Sequence, residues 1–170
     1  APFSVTKGLA FNGTLAGTGS DANGDALTYQ VITGPSHGTL TLNANGTFTY
    51  TPATGYAGTD SFTYRVSDGA AYSTAATVDL NVANTAPTVT APTAPFSVTK
   101  GLAFNGTLAG TGSDANGDAL MYQAVTQPSH GTLTLNANGT FTYSPAASYA
   151  GSDFFTYRVS DGIAYSEAAT

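Results

Sequence analysis

The sequence contains no cysteine and no tryptophan, and only 4 of its 170 residues are lysine or arginine. The absence of cysteine excludes disulfides, thiol nucleophiles and thiolate metal ligands. Four basic side chains are too few to neutralise a nucleic-acid backbone, so nucleic acid is not an expected partner. No apolar run approaches the ~18 residues that a transmembrane helix requires, so membrane insertion is not expected.

Two near-identical copies of one segment make up almost the whole chain. Residues 1–77 align with residues 94–170 at a period of 93, with 66 identical positions and 11 differences. Tandem copies this similar are typical of stalks and fibres, in which each repeat is one structural module. We therefore predict two domains, residues 1–84 and residues 85–170.

Within each copy the apolar residues recur at every second position. Phe62, Tyr64 and Val66, for example, alternate with Thr63 and Arg65. A period of two indicates strands with one buried face, whereas a helix would show a period of 3.6. The predicted strands of the first copy lie near residues 3–6, 9–16, 26–33, 38–43, 47–52, 60–67 and 76–83.

Turn residues separate these strands. Asn45 and Gly46 lie between two of them and indicate a hairpin, because both residue types tolerate positive φ. Seven short antiparallel strands in ~90–100 residues are typical of the immunoglobulin sandwich. We predict an all-β protein of two tandem immunoglobulin-like Greek-key β-sandwiches, with about seven strands each. The aromatic side chains expected in the core, rather than in a carbohydrate-binding platform, are Phe48, Tyr50, Phe62 and Tyr64.

Two motifs of the first copy resemble a known group of repeats. HGTLTLNANGTFTYTP, which starts at His37, and GYAGTDSFTYRVSDG, which starts at Gly55, are similar to the cadherin-like bacterial immunoglobulin repeats, VCBS-type repeats included. The junction with Asn84, Ala86 and Pro87 is similar to the linker between such domains. The resemblance implies a large prokaryotic protein that is secreted or attached to the cell surface. It implies a structural or adhesive role, as a spacer, a fibre element or part of a biofilm matrix.

The loop DANGD is a candidate calcium site. It places Asp21, Asn23 and Asp25 at alternate positions, from which oxygen ligands can converge on one ion. In an immunoglobulin-like sandwich the loop after the sixth strand shares this end of the domain. The resemblance to cadherin-like repeats also implies calcium where one domain meets the next. The predicted ligands are Asp21, Asn23, Asp25, Asp60, Asp68 and Asn84 in the first copy and Asp114, Asn116, Asp118 and Asp161 in the second. The alternative is that these side chains bond their own backbone in turns.

No catalytic constellation is recognisable in the sequence. His37 follows Ser36 directly, and adjacent residues of a strand or turn point apart, so the two do not form a Ser–His pair. Asp21 and Asp25, considered as an acid–base pair, have no pocket-forming insertion nearby. We therefore expect no enzymatic activity.

Arg65 is expected to face outward and to pair with Asp79 of the neighbouring strand.

The second copy is expected to lack its last strand. The segment VDLNV follows Thr77 in the first copy, and the equivalent Thr170 is the last residue of the sequence. A sandwich without this strand exposes an edge that must be covered. Two explanations remain open: a longer array of repeats continues into the strand, or a neighbouring identical subunit donates one and builds a filament.

The expected partners are neighbouring repeats or identical subunits. The alternative function, a carbohydrate-binding module of a secreted protein, would add cell-surface or matrix glycans.

Overall fold

A computed structural model describes all residues 1–170, which divide into two compact units, Ala1–Asn84 (unit 1) and Thr85–Thr170 (unit 2). Every regular element is a β-strand, and the all-β prediction is confirmed. None of the segments forms a helix with the length and apolarity that a bilayer crossing would need.

Unit 1 is a sandwich of two sheets with the seven predicted strands. The strands are β1 (Phe3–Thr6), β2 (Phe11–Thr14), β3 (Thr28–Thr33), β4 (Gly38–Leu42), β5 (Thr47–Pro52), β6 (Gly58–Ser67) and β7 (Ala76–Ala83). One sheet has the order β1-β7-β6-β3 and the other the order β2-β5-β4. The predicted β-sandwich is thereby confirmed.

The alternating side chains fill the space between the two sheets of unit 1. On β7 the inward residues Val78, Leu80 and Val82 are 7%, 0% and 2% exposed. The rings of Phe3 and Phe48 pack against each other with centroids 5.5 Å apart. The four aromatic side chains predicted for the core are buried, so they cannot form a carbohydrate platform: Phe48, Tyr50, Phe62 and Tyr64.

The first and last strands of unit 1 are neighbours in one sheet. β1 pairs with β7 in parallel, with Phe3 opposite Leu80 and Val5 opposite Val82. The pairing extends one step further, since the Lys7 N–H donates to the Ala83 carbonyl at 3.0 Å. β7 also pairs with β6 on its other side, in antiparallel register. The last strand therefore lies between two partners.

The predicted pairing of Arg65 with Asp79 is wrong. The Arg65 guanidinium donates to Gln30 Oε1 at 2.7 and 2.9 Å and lies 3.7 Å from the ring centre of Tyr72. The reason is the register. Asp79 lies opposite Ser61, four residues from Arg65 along β6, whereas Gln30 lies directly opposite Arg65 on β3.

Unit 2 repeats most of this plan but not all of it. Its strands are β8 (Thr88–Val89), β9 (Phe104–Thr107), β10 (Gly112–Ser113), β11 (Met121–Thr126), β12 (Gly131–Leu135), β13 (Thr140–Pro145) and β14 (Thr156–Ser160). The sheets are β10-β8, β11-β14 and β12-β13-β9. No strand stands in the place of β7. Residues 96–99 and 151–155, the equivalents of β1 and of the first half of β6, are not in strands.

Candidate calcium centre

Three carboxylates of unit 2 lie close together at one end of its sandwich. One oxygen from each of Asp114, Asp118 and Asp161 lies within 4.8 Å of the others, and all three residues are half-buried. Asp114 and Asp118 belong to the loop after β10, and Asp161 directly follows β14. Carboxylates this close repel one another when ionised, and a divalent cation between them would remove that repulsion.

The backbone of the loop holds Asp114 in place. Its Oδ1 accepts hydrogen bonds from the backbone N–H groups of Asn116 at 2.9 Å and of Asp118 at 3.0 Å. Gly117 has a φ of 78°, which only glycine adopts without strain, and so lets the loop turn back on its first residue. The Asn116 side chain accepts a hydrogen bond from the Thr85 N–H at 2.8 Å. The loop is therefore closed on one oxygen of Asp114.

The turn after β14 fixes the third carboxylate in a similar way. Asp161 Oδ1 accepts hydrogen bonds from the N–H groups of Ile163 at 2.7 Å and Ala164 at 2.6 Å. In both turns the aspartate uses its own neighbours as donors, which is the alternative that the sequence left open. These bonds orient the carboxylates and employ the Oδ1 atoms of Asp114 and Asp161.

The other oxygen of Asp114 fits a cation. Asp114 Oδ2 is buried and has no hydrogen-bond partner within the protein. A buried acceptor without a partner costs about 1–3 kcal/mol, and more when it is charged. Calcium takes 6–8 oxygen ligands, of which carboxylates usually supply several. The donor set is made of carboxylate oxygens alone and carries three negative charges, so it fits calcium.

The same loop in unit 1 does not form such a cluster. Asp21 Oδ1 accepts from the N–H groups of Asn23 at 2.8 Å and Asp25 at 3.0 Å, as in unit 2. Asn23 and Asp25 are exposed, whereas their equivalents in unit 2 are half-buried. No group of three acidic side chains comes together with Asp68. The structure thus brings together the acidic ligands predicted for the second copy but not those predicted for the first.

Asp68 shows what the turn does without the cluster. Its Oδ1 accepts from the N–H groups of Ala71 and Ala70, both at 2.7 Å. These two hydrogen bonds favour the ionised form and hold the pKa of Asp68 below its usual value. Asp68 therefore stays charged and acts as a turn residue.

Two further predicted ligands have other partners. Asp60 accepts from the N–H groups of Ser36, His37 and Ser61 and from the Tyr50 hydroxyl, at 2.8–2.9 Å. Both of its oxygens are in use, so Asp60 joins the β3–β4 loop to β6. The side-chain carbonyl of Asn84 accepts from Lys7 Nζ at 3.2 Å.

The burial of Asp60 could have been predicted from the sequence, although its hydrogen-bond partners could not. Asp60 shares the inward phase of Phe62 and Tyr64 along β6, which indicates a buried acid that needs donors. Burial alone would raise the pKa of Asp60, but the hydrogen bonds from Ser36, Tyr50 and their neighbours outweigh it and lower that pKa. Burial and the contact with Asp60 raise the pKa of the Tyr50 hydroxyl. Nothing in the sequence identified Tyr50 as the partner.

The His37 side chain packs against an aromatic ring and lies near a buried carboxylate. Its ring stacks on Tyr56 with centroids 4.2 Å apart, and its Nδ1 lies 3.9 Å from Asp60 Oδ1. Ser36 contributes a backbone N–H to Asp60. The pairs His130–Tyr149 and His130–Asp153 repeat this arrangement in unit 2 at 3.9 and 3.7 Å.

Comparison with known proteins gives one family match. The family model described as "Bacterial Ig domain" matches residues 1–81 and again residues 84–170. Among curated proteins, no significant match is found.

Several solved structures are similar to the chain. The endo-fucoidan hydrolase MfFcnA4 from glycoside hydrolase family 107 is 26% identical, with a TM-score of 0.38, over 99% of this chain and 27% of that chain. The extracellular cadherin domains 3–6 of protocadherin gamma B2 are 15% identical, with a TM-score of 0.36, over 99% of this chain and 49% of that one. Domains 4–9 of the surface layer protein SbsC are 14% identical, with a TM-score of 0.32, over 99% of this chain and 30% of that one. The chain spans about a quarter to a half of the length of these proteins.

Proposed function

The chain belongs to the bacterial Ig domain family, and on that premise we propose that it is a mechanical spacer in an extracellular or cell-surface protein. The family match covers both units, and the resemblance to bacterial immunoglobulin-like repeats is thereby confirmed. The proposal assigns the chain no catalytic role. Its role is to keep the other parts of a larger assembly at a fixed distance and to stay folded when they are pulled apart.

The observation that carries the proposal is the pairing of β1 with β7. These are the first and last strands of unit 1, and they lie side by side in parallel. A force that pulls the two ends of the unit apart therefore acts along both strands in opposite directions. The hydrogen bonds between them are loaded together, in shear, instead of being opened one after another. A domain with this arrangement unfolds slowly under force, because unfolding requires many bonds to break at once.

The test removes one hydrogen bond at the end of this pairing. In the Lys7→Pro variant the N–H that donates to Ala83 is absent, and the Lys7 contact with Asn84 is lost as well. We expect unit 1 to unfold at a lower force at the same pulling speed and to lose about 1–3 kcal/mol of stability. The measurement is single-molecule pulling from the two chain ends.

The equivalent lysine of unit 2 provides the control. Lys100 has the same neighbours in sequence as Lys7, but it is exposed and has no β7 equivalent to pair with. Lys100→Pro should leave the unfolding force of unit 1 unchanged. An unfolding force that is the same in Lys7→Pro and in the unsubstituted chain would show that the β1–β7 pairing does not resist load.

Calcium at the cluster of unit 2 is the second part of the proposal. Asp114, Asp118 and Asp161 would hold the ion, which would join the loop after β10 to the turn after β14. The support is the buried, unpartnered Oδ2 of Asp114 beside two further carboxylates. In a spacer, an ion that joins two loops makes the end of the module more rigid.

Calcium should raise the melting temperature of unit 2 with an apparent Kd of roughly 10⁻⁴–10⁻³ M, the range of extracellular modules. Asp118→Asn removes one charged ligand and should abolish this increase. The matched control is Asp25→Asn, which makes the same change in the unit 1 loop, where no cluster forms. A calcium response that survives Asp118→Asn, or that disappears in Asp25→Asn, would contradict the assignment.

A further inference from the structure

Asparagine is followed directly by glycine at six places in the chain, three in each unit. In each unit one of these Asn-Gly pairs lies in a strand, one in a hairpin and one in the acidic loop. Such a pair can react with itself, because glycine has no side chain to keep its backbone nitrogen away from the asparagine amide. The six asparagines are Asn12, Asn23, Asn45, Asn105, Asn116 and Asn138.

The reaction needs only the chain and water. The backbone nitrogen of the glycine loses its proton to solvent and attacks Cγ of the asparagine, which closes a succinimide ring. The side-chain nitrogen takes up a proton and leaves as ammonia. Water then opens the ring at either of its carbonyls and yields aspartate or isoaspartate. A hydrogen bond that holds the asparagine amide or the glycine N–H slows this reaction, because the two groups must approach each other.

The hairpin pair is held by hydrogen bonds on both of its residues. Asn45 Oδ1 accepts from the Thr47 N–H at 3.0 Å and from the Thr47 hydroxyl at 2.7 Å. The Gly46 N–H donates to the Asn43 carbonyl at 2.9 Å. In unit 2 the Asn138 side chain accepts the same two hydrogen bonds, at 3.1 and 2.7 Å. The hairpin pairs are therefore protected in both units.

The strand pair is held by its sheet. The Thr49 hydroxyl donates to Asn12 Oδ1 at 2.7 Å, and Gly13 lies inside β2, which pairs with β5. In unit 2 the Thr142 hydroxyl donates to Asn105 Oδ1 at the same distance of 2.7 Å. Closing the ring in either strand would require the backbone to leave the sheet. These pairs are therefore protected as well.

The Asn23 pair in the acidic loop of unit 1 is free to react. The Asn23 side chain is exposed and makes no hydrogen bond within the protein. The Gly24 nitrogen lies 3.4 Å from the Asp21 carbonyl oxygen, which is longer than the usual ~2.7–3.2 Å of such a bond. No atom would lie within 4 Å of a Cβ at Gly24, so there is space for the loop to rearrange.

Asn116 is the matched comparison in unit 2. Its neighbours in sequence are the same as those of Asn23, because residues 94–120 repeat residues 1–27. Its side chain accepts from the Thr85 N–H at 2.8 Å and is half-buried. One net hydrogen bond that must break before the reaction slows it by about 2- to 13-fold. Asn116 should therefore react more slowly than Asn23 by at least this amount.

We propose that Asn23 is a site of spontaneous modification, at which the folded chain converts asparagine into aspartate and isoaspartate. Water is the co-reactant and ammonia is the product that leaves. The conversion adds a third carboxylate to the loop that already contains Asp21 and Asp25. This inference goes beyond the spacer role, because it describes a chemical change that the chain makes in itself, whatever the chain connects.

The test is incubation of the complete chain at physiological pH and temperature, followed by trypsin digestion and mass spectrometry. Cleavage after the four basic residues gives peptides 8–65 and 101–158, which carry three Asn-Gly pairs each and differ in mass. Fragmentation then assigns the conversion to one asparagine. We expect Asn23 to convert at least ~10-fold faster than Asn12 and Asn45. Equal rates at these three sites, or an unchanged Asn23, would overturn the proposal.

The same chain unfolded in denaturant is the control for sequence effects. Without the fold all six pairs should convert at similar rates. If Asn23 leads by the same ratio in the unfolded chain, the neighbouring residues and not the fold decide its reactivity, and the proposal fails.

Thr85→Pro tests the protection by a hydrogen bond. It removes the N–H that donates to Asn116 Oδ1, so Asn116 should convert faster than in the unsubstituted chain. The rate at Asn23 should not change. An unchanged rate at Asn116 would overturn the argument that a held amide oxygen protects the pair.

Discussion

At the residue scale, the Asp60 side chain of unit 1 accepts four hydrogen bonds. Three backbone N–H groups and the Tyr50 hydroxyl donate to its carboxylate. Its role is structural, since it joins the β3–β4 loop to β6. Sequence reasoning identified the residue but assigned it to calcium, because a strand pattern shows that a side chain faces inward and does not show which donors meet it.

The pH dependence of unit 1 should report on this carboxylate. The folded pKa of Asp60 lies below the ordinary value of 3.8, so the unfolded chain binds its proton more tightly. The stabilisation is therefore complete above about pH 4 and is lost as the pH falls through the lower, folded pKa. Acid titration of the unfolding free energy should show this decline.

Asp60→Asn should lower the stability of unit 1 at neutral pH by about 1–3 kcal/mol, because an amide cannot accept from every donor. It should also flatten the decline below pH 4. Asp25→Asn, at an exposed position, serves as the control and should change neither property. If Asp60→Asn has the same acid profile as the unsubstituted chain, the carboxylate does not carry this dependence.

At the scale of the element, the partner decides whether a segment becomes a strand. The period-two pattern predicted the strands of unit 1 correctly, since each of these segments has a strand to pair with in its sheet. The same pattern in 96–99 and 151–155 is not realised as strand, and these segments border the place of β7. The register between paired strands could not be predicted from the sequence either. Arg65 was assigned to Asp79, whereas the register sets it opposite Gln30.

The contribution of β7 can be measured with one substitution made in each unit. Phe62 lies opposite Val78 of β7 in the same sheet and is 1% exposed, whereas its equivalent Phe155 is only half-buried. Phe62→Ala should destabilise unit 1 by about 3–5 kcal/mol. Phe155→Ala should cost unit 2 clearly less, because its ring loses fewer contacts. Denaturant unfolding of the two variants gives both values, and equal losses would show that β7 adds little to the burial of this ring.

At the scale of the whole molecule, two units with almost the same sequence differ in the structure of the acidic loop and in the number of strands that are paired around the place of β7. The repeat and its alternation predicted two sandwiches from the sequence alone. They did not predict that the acidic loop would form a cluster only in unit 2. That difference follows from residues outside the repeated loop, since unit 2 begins with Thr85 bonded to Asn116 and with β8 paired to β10. The identical loop of unit 1 is exposed at Asn23 and Asp25.

The central claim is that a sandwich of this kind resists force when its last strand lies beside its first. Pulling the chain with and without a VDLNVA extension after Thr170 tests it most directly. The 170-residue chain should give one high-force event, with a length gain of roughly 300 Å or slightly less for the 84 residues of unit 1. The extended chain should give two such events of similar force. Unfolding of unit 1 at low force, or a single high-force event in both chains, would contradict the account.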